Sequence, residues 1–544
     1  MTRRPRGVLL TLVLVWLIAY PLALVLVDAL RGGTGWTLSH VAAFAREPTQ
    51  WQALWGSVWI SLASVLLAGA VGVPLAFVFE RIEFPGRRLL GGLVALPAVL
   101  PPLVGVIAFL FLYGESGFIP RLVMRAFGLA GPPWRLQGAG AILLVHAYSM
   151  YVYFYLFTRA GLARVDRAMV EAAESLGAGG WSILRRVTLP LLRPQIAGAA
   201  LLTFMTSLGS FSAPYVFGGG FRVMTTQIVT TKLNGDLGLA MVQTVALAAV
   251  ALVGLVLMRR TQGTRSVAVL AKGAAPSARA LRQPLARGVA TALGWGLAVV
   301  LLLPHVTLLV VSLVPLGTWT TELLPPAYTL GNYTVLLRDP ERLRPLLNSL
   351  WMAAAATAGA LGLALWAGRV VVQRRASLAR AVEALTTLPW AVPGTVLAIA
   401  LATAFSARQP WIGRWVLVGT AVILPLAYLI RNLPIAAGSV LAGFRQLDPS
   451  LDEAAASLGA GRLRRIARVT VPLLRPALLA GGALAFATAL GDFVTSVVLY
   501  TFETRPISIE ILGALRQFDV GVAAAYGVVL MGISAAAMAV GTRR

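Results

Sequence analysis

The sequence predicts an all-α integral membrane protein with about 12 transmembrane helices, arranged as two parallel-repeat halves of six. Three observations predict it. The chain of 544 residues is 58% hydrophobic and only 12% charged, with a mean hydropathy of +0.81; a soluble protein carries about twice that charged fraction. Apolar stretches long enough to cross a bilayer, at about 20 residues per crossing, recur along the whole length. One stretch is present twice, as EAAESLGAGGWSILRRVTLPLLRP at 171–194 and EAAASLGAGRLRRIARVTVPLLRP at 453–476. Aligned without a gap, the copies agree at about two-thirds of positions, so the chain is an internal duplication.

Arg3, Arg4 and Arg6 precede an apolar run at 8–30. It is longer than the core of a cleaved signal peptide and lacks a small-residue cleavage site, so a retained first helix is expected. Further spans are expected near 56–79, 91–113, 139–158, 195–217 and 237–258, completing a first half at 1–258. Residues 259–288 hold Arg, Gly, Pro and Ser without a sustained apolar run and read as a cytoplasmic linker. A second half at 289–544 offers spans near 289–316, 346–367, 382–406, 414–435, 477–500 and 521–541. This topology places most of the 46 Lys and Arg residues on one side, which is then the inside, with both termini cytoplasmic.

An even number of helices per half makes the repeats parallel rather than inverted. Trp59 and Trp351, and Pro97 and Pro389, match at one offset, while the duplicated stretches match at an offset ten residues smaller. The outer loop around 114–138 is therefore longer in the first half. The repeated cores run from about 56 to 258 and from about 346 to 541.

Each duplicated stretch reads as a short capped helix. Asp166 and Asp448 suit the N-cap, Pro449 the first helical position, and Gly177 and Gly459 the position just past the C-terminus. Met169, Ala172, Ala173 and Leu176 fall on one face, and Leu451, Ala454, Ala455 and Leu458 repeat them. A face made mostly of Ala lets another backbone come close. It suits docking into a groove better than building a core.

Glu-Ala-Ala, a Gly four residues after the second Ala, and a basic stretch ending in Leu-Pro or Val-Pro resemble the cytoplasmic coupling loop of binding-protein-dependent ABC importer permeases. Glu171, Ala172, Ala173 and Gly177, with Glu453, Ala454, Ala455 and Gly459, match that motif residue for residue. The resemblance implies a permease subunit in the bacterial inner membrane, in contact with the lipid bilayer. It further implies two separate ATPase subunits docked one to each loop, and a periplasmic substrate-binding protein. ATP hydrolysis is not expected on this chain. A phosphate-binding loop needs Gly followed by Lys and Ser or Thr, and the only lysines, Lys232 and Lys272, do not follow a Gly. No catalytic residues and no cofactor are expected.

Arg185, Arg186 and Arg193, with Arg464, Arg465, Arg468 and Arg475, form the basic run of each loop and read as a solvated or headgroup-facing surface. Pro190 and Pro472 either fix the angle of the following span or simply accompany its initiation. The net charge of +26 is spread in short runs between apolar segments, as cytoplasmic loops require, so nucleic acid is not the expected partner. With no Cys, disulfides and thiolate chemistry are excluded. The three His residues, His40, His146 and His305, are too scattered for a His-built metal site.

An ionisable residue inside a span is a functional candidate by default. Asp492 is the clearest case, and the duplication pairs it with Ser210. In the resembled family the span after the coupling loop borders the translocation path, which would make Asp492 an electrostatic filter there. The structural alternative is a packing Asp satisfied by neighbouring hydroxyls or backbone. Tyr148, Tyr151, Tyr153 and Tyr155 offer the same choice between path and packing, and His146 reads as a satisfied buried histidine.

Among fused two-half permeases, the stretches 210–240 and 491–527 are most similar to the ferric-iron branch, with the thiamine permeases as the alternative. Selectivity would then belong chiefly to the binding protein, since a conduit needs weak binding to release its solute. A secondary transporter is the rival class; it would need its own mid-membrane coupling site and gives no reason for two Ala-faced helices. A membrane enzyme would need a nucleophile or paired-carboxylate constellation, and the sequence offers none.

Overall fold

The computed structural model of the protein describes residues 4–32, 35–98, 100–261, 279–280, 284–319, 322–373, 376–406 and 416–542. Most of the expected linker, at 262–278 and 281–283, lies outside the described residues. Among these residues ten helices are long and apolar enough to cross a membrane, and two bent pairs bring the number up to twelve. The twelve correspond one to one with the expected spans, and strand pairing is confined to two-residue segments.

The duplication is visible in the helix bounds. Pro48–Arg81 and Pro340–Gln373 are both 34 residues long and begin 292 residues apart, the offset of the Trp and Pro pairs. Close approach of backbones is built with small residues, as membrane helices require. A Cβ on Gly72 would lie 2.3 Å from the Tyr151 carbonyl oxygen, so only Gly lets Pro48–Arg81 meet Gly138–Leu162 there.

Four of the expected spans need correction. The fifth and eleventh spans were expected to run through 217 and 500, but their helices end at Leu208 and Leu490. Gly209 and Gly491 follow, and after each break come a short helix, Ser212–Phe217 or Val494–Leu499, and a second one, Met224–Leu233 or Ile507–Arg516. The apolar sequence continues through these breaks, which is why hydropathy does not see them. The tenth span lies later than expected, at Ile423–Gln446. The ninth is two helices, Ser377–Ala391 and Gly394–Ser406, bent by 109° beside Pro393, and the equivalent turn of the first half holds Pro97, Pro101 and Pro102.

The halves are interleaved. The first span, Gly7–Ala29, seats Leu14 and Ile18 in an apolar cluster with Leu401 and Phe405 of the second half, and Trp16 meets Phe405 edge-on at 5.7 Å. In return Pro284–Ser312 packs on the first half. Its Ala298 and Leu301 share a cluster with Phe84 and Leu90, and Tyr148 Oη donates to the Leu301 carbonyl at 2.7 Å. Each half therefore covers part of its apolar surface with the other half's opening helix.

Candidate functional site

The two duplicated helices form at Arg167–Ser175 and Pro449–Ser457. Asp166 and Asp448 cap them, accepting from Ala168 N and Ser450 N at 2.9 Å each. Both ends are closed by the same left-handed turn. Gly177 (φ 77°) and Gly459 (φ 76°) donate to the carbonyls of Glu174 and Ala456, while Ala178 and Ala460 reach back to those of Ala173 and Ala455. This is the paired bonding that a glycine turn uses to satisfy the last carbonyls of a helix.

The apolar face that the turns orient is open. Leu176 is 89% exposed and Leu458 88% exposed, Met169 and Leu451 are exposed, and Ala172 and Ala454 stand with them. Glu171 is also exposed and pairs with Arg167 one turn earlier at 2.5 Å, and Glu453 is exposed on the second helix. Two equivalent helices thus present the same small-residue face to the outside of the fold. Behind each lies a π-helical turn, Leu184–Thr188 and Ile466–Thr470, then Pro190 or Pro472 in the first turn of the next helix. In the second half that path bends by 75° between Leu473 and Arg475, whereas the first half runs on as one span from Gly180 to Leu208.

The basic runs are exposed at Arg185, Arg186, Arg193, Arg464, Arg468 and Arg475. Arg465 is the exception to the expected solvated surface. Its side chain is 16% exposed and its guanidinium donates to Asp452 at 3.1 Å.

Ser210 and Asp492 occupy equivalent places, each directly after the glycine that ends its span. Ser210 Oγ bonds His146 Nε2 at 2.9 Å, and Ser64 (2.9 Å) and Ser207 (3.2 Å) hold His146 Nδ1. His146 is therefore a satisfied buried histidine. Asp492 sits in a break rather than inside a span helix. One carboxylate oxygen lies 2.8 Å from Arg431, the other accepts from the backbone of Thr495 at 2.9 Å and from its hydroxyl, and the side chain is 2% exposed. The arrangement favours the packing reading of Asp492, because the carboxylate is already neutralised and accepts from the Thr495 backbone in the first turn of Val494–Leu499. The sequence-based expectations do not include Arg431, although a charged residue inside the span expected at 414–435 is itself the signal.

The two breaks meet across the halves. Phe211 and Phe493, the residues after Ser210 and Asp492, have ring centroids 5.6 Å apart, and a Cβ on Gly491 would lie 2.7 Å from Pro101 of the opposite half. Tyr148, Tyr151 and Tyr155 donate to the backbone carbonyls of Leu301, Val94 and Gly91, so these three pack rather than line an opening. Among the described residues no group of three or more His, Cys, Asp or Glu side chains is placed to hold a metal ion.

A duplicated bundle of about twelve membrane helices with two outward-facing capped loops is the architecture of a transport subunit. Residues 68–263 and 360–543 match the family described as the binding-protein-dependent transport system inner membrane component, and the chain belongs to that family. The two matches begin 292 residues apart, the offset of the long helices. The chain is 33% identical over 539 residues to the probable ABC transporter permease protein y4fN of Sinorhizobium fredii, covering 98% of this chain and 94% of that one. It is 29% identical over 482 residues to the ferric transport system permease protein FbpB of Actinobacillus pleuropneumoniae, covering 86% and 68%. It is also 37% identical over 172 residues to the molybdenum transport system permease protein ModB of Escherichia coli, covering 31% and 72%. The protein is thus a multi-pass permease of an ABC importer, and the secondary-transporter reading falls away.

Proposed function

We propose that this permease carries ferric iron, delivered by a periplasmic binding protein, across the bacterial inner membrane. Two ATPase subunits drive it by docking on the helices that hold Glu171, Ala172, Ala173 and Gly177, and Glu453, Ala454, Ala455 and Gly459. The observation that supports docking is the pair of equivalent, fully capped helices whose leucines stand 88–89% exposed among the described residues. An apolar face of that kind on two symmetric loops suits a pair of identical partners. Both termini would then lie on the ATPase side, with the fold dividing into halves at 1–258 and 289–544.

Iron as cargo is supported by a relative of named cargo whose likeness runs through both halves, the ferric permease FbpB, whereas the molybdenum permease resembles 172 residues only. The test is uptake of labelled ferric iron, molybdate and thiamine in cells with and without this chain, each under starvation for that solute. Loss of iron uptake alone is the expected result. Loss of molybdate or thiamine uptake instead overturns the cargo and leaves the ATP-driven architecture standing.

A further inference from the structure

The two docking loops are seated on the bundle by different chemistry. In the second half Asp452, the residue before Glu453, joins three elements. Its carboxylate lies 3.1 Å from Arg465 on the short helix after the glycine turn, and 3.8 Å from Arg369 near the end of the long helix Pro340–Gln373. Arg465 donates to the Asp452 backbone carbonyl at 3.3 Å as well, and Arg369 donates at 3.4 Å to Thr470 in the π-helical turn. The side chains of Arg369 and Arg465 are 12% and 16% exposed and that of Asp452 33%, so the two arginines are largely shielded from solvent and the carboxylate is half-buried.

The duplication supplies the control. At the loop offset Asp452 and Arg465 correspond to Val170 and Ile183, and at the long-helix offset Arg369 corresponds to Phe77. All three charges are replaced by apolar side chains. Phe77 and Val170 pack on one apolar cluster and Ile183 is buried, so at these three places the first loop rests on apolar contacts, which lack the directionality of an ion pair. The ionic cluster is also incomplete. Asp452 Oδ1 and Arg465 Nε are buried without a hydrogen-bond partner among the described residues, and the 3.8 Å gap to Arg369 is about 1 Å longer than a hydrogen bond. Buried charges left partly unpaired favour any movement that completes the pairing.

We propose that Asp452 is a positioning residue: with Arg369 and Arg465 it clamps the second docking helix to the long helix Pro340–Gln373, and the clamp tightens when a partner loads that helix. The second loop therefore transmits movement as a rigid lever, while the first loop adjusts. The transport consequence rests on the docking reading above; the clamp itself is a property of this chain.

The chain contains no Cys, so a spin label can be placed at Leu176→Cys or Leu458→Cys without background. In the purified full-length chain in lipid nanodiscs, Asp452→Asn and Arg465→Gln are each expected to raise label mobility at 458. The label at 176 should stay unchanged and serves as the folding control, and Asp452→Glu should restore order at 458. Equal mobility at 458 in the parent and in both variants overturns the clamp. With ATPase subunits co-expressed, Asp452→Asn is expected to retain the subunits but to lower labelled-iron uptake per ATP hydrolysed by roughly two- to thirtyfold. Normal uptake per ATP overturns the lever. Failure of the parent chain to retain any ATPase subunit overturns the docking reading instead, and the label mobilities then decide the clamp by themselves.

Discussion

The two halves share their backbone devices and differ in how they place charge. Both docking helices open on an Asp cap and close on a left-handed glycine, both continue through a π-helical turn with a buried Thr, and both following spans end at a glycine break. Behind the loop and at the break, the first half uses neutral groups. His146 is held by Ser64, Ser207 and Ser210, and Phe77, Val170 and Ile183 support the loop. The second half places ion pairs at matching positions, Arg431 with Asp492 and Arg369 and Arg465 with Asp452. The lesson is that cap and turn geometry specifies where a loop points, while the side chains behind it specify how stiffly it is held.

The largest expected effect tests what the halves share. Gly177 and Gly459 have positive φ and open space where a Cβ would stand, so a bulky residue there strains only the turn, by about 1–2 kcal/mol. That is too little to unfold the protein but enough to redirect the exposed leucines. Gly177→Val with Gly459→Val is expected to leave the amount of protein in the membrane near normal and to abolish uptake. Normal uptake in the double variant would show that the turns do not aim the docking helices.

A smaller effect should separate the halves. Arg431→Gln leaves Asp492 buried and unpaired, at an expected cost of about 3 kcal/mol or more, read as chemical unfolding in detergent micelles. Ser210→Ala removes one neutral hydrogen bond to His146 and should cost about 1 kcal/mol. Asp492→Asn with Arg431→Gln should recover much of the loss, since the pair is removed together. Equal costs for the Arg431 and Ser210 variants would mean that the charge asymmetry has no energetic content.

What the sequence revealed follows the range of each interaction. Caps, glycine turns and the Ala face depend on residues within one or two turns, so Asp166, Gly177 and their copies were readable. The spans were readable because a bilayer demands long apolar stretches. The breaks after Leu208 and Leu490 were not, since apolar residues continue on both sides and the break is decided by packing against Pro101 and Pro393 of the opposite half. The exchange of opening helices between halves depends on contacts such as Trp16 with Phe405, hundreds of residues apart. Arg465 looked like one more solvated arginine because its partner, Asp452, is thirteen residues away across a turn.

The turn before each last span also differs between the halves. Gly235 (φ 88°) and Phe518 (φ 58°) precede the equivalent capping residues Asp236 and Asp519, so one half meets the left-handed conformation with glycine and the other with an 83% exposed aromatic. A bulky residue in that region costs about 1 kcal/mol or more. Phe518→Gly is expected to stabilise the protein by about that amount in chemical unfolding, while Gly235→Phe destabilises it. A loss of stability on Phe518→Gly would show that the ring makes a contact worth more than the strain.

The smallest effect is a pH dependence at the cap of the second docking helix. The Ser450 backbone and side chain bond the Asp448 carboxylate and hold its pKa below the ordinary Asp value. A depressed folded-state pKa contributes stability above the unfolded value, and that contribution is lost as pH falls through the folded one. Amide exchange at Ser450 and Leu451, corrected for the intrinsic pH dependence of exchange, should therefore speed up only in the acid range below the usual Asp pKa. Asp448→Asn keeps a capping oxygen without the titration and should flatten that response. A response that survives in Asp448→Asn would show that the cap carboxylate is not its source.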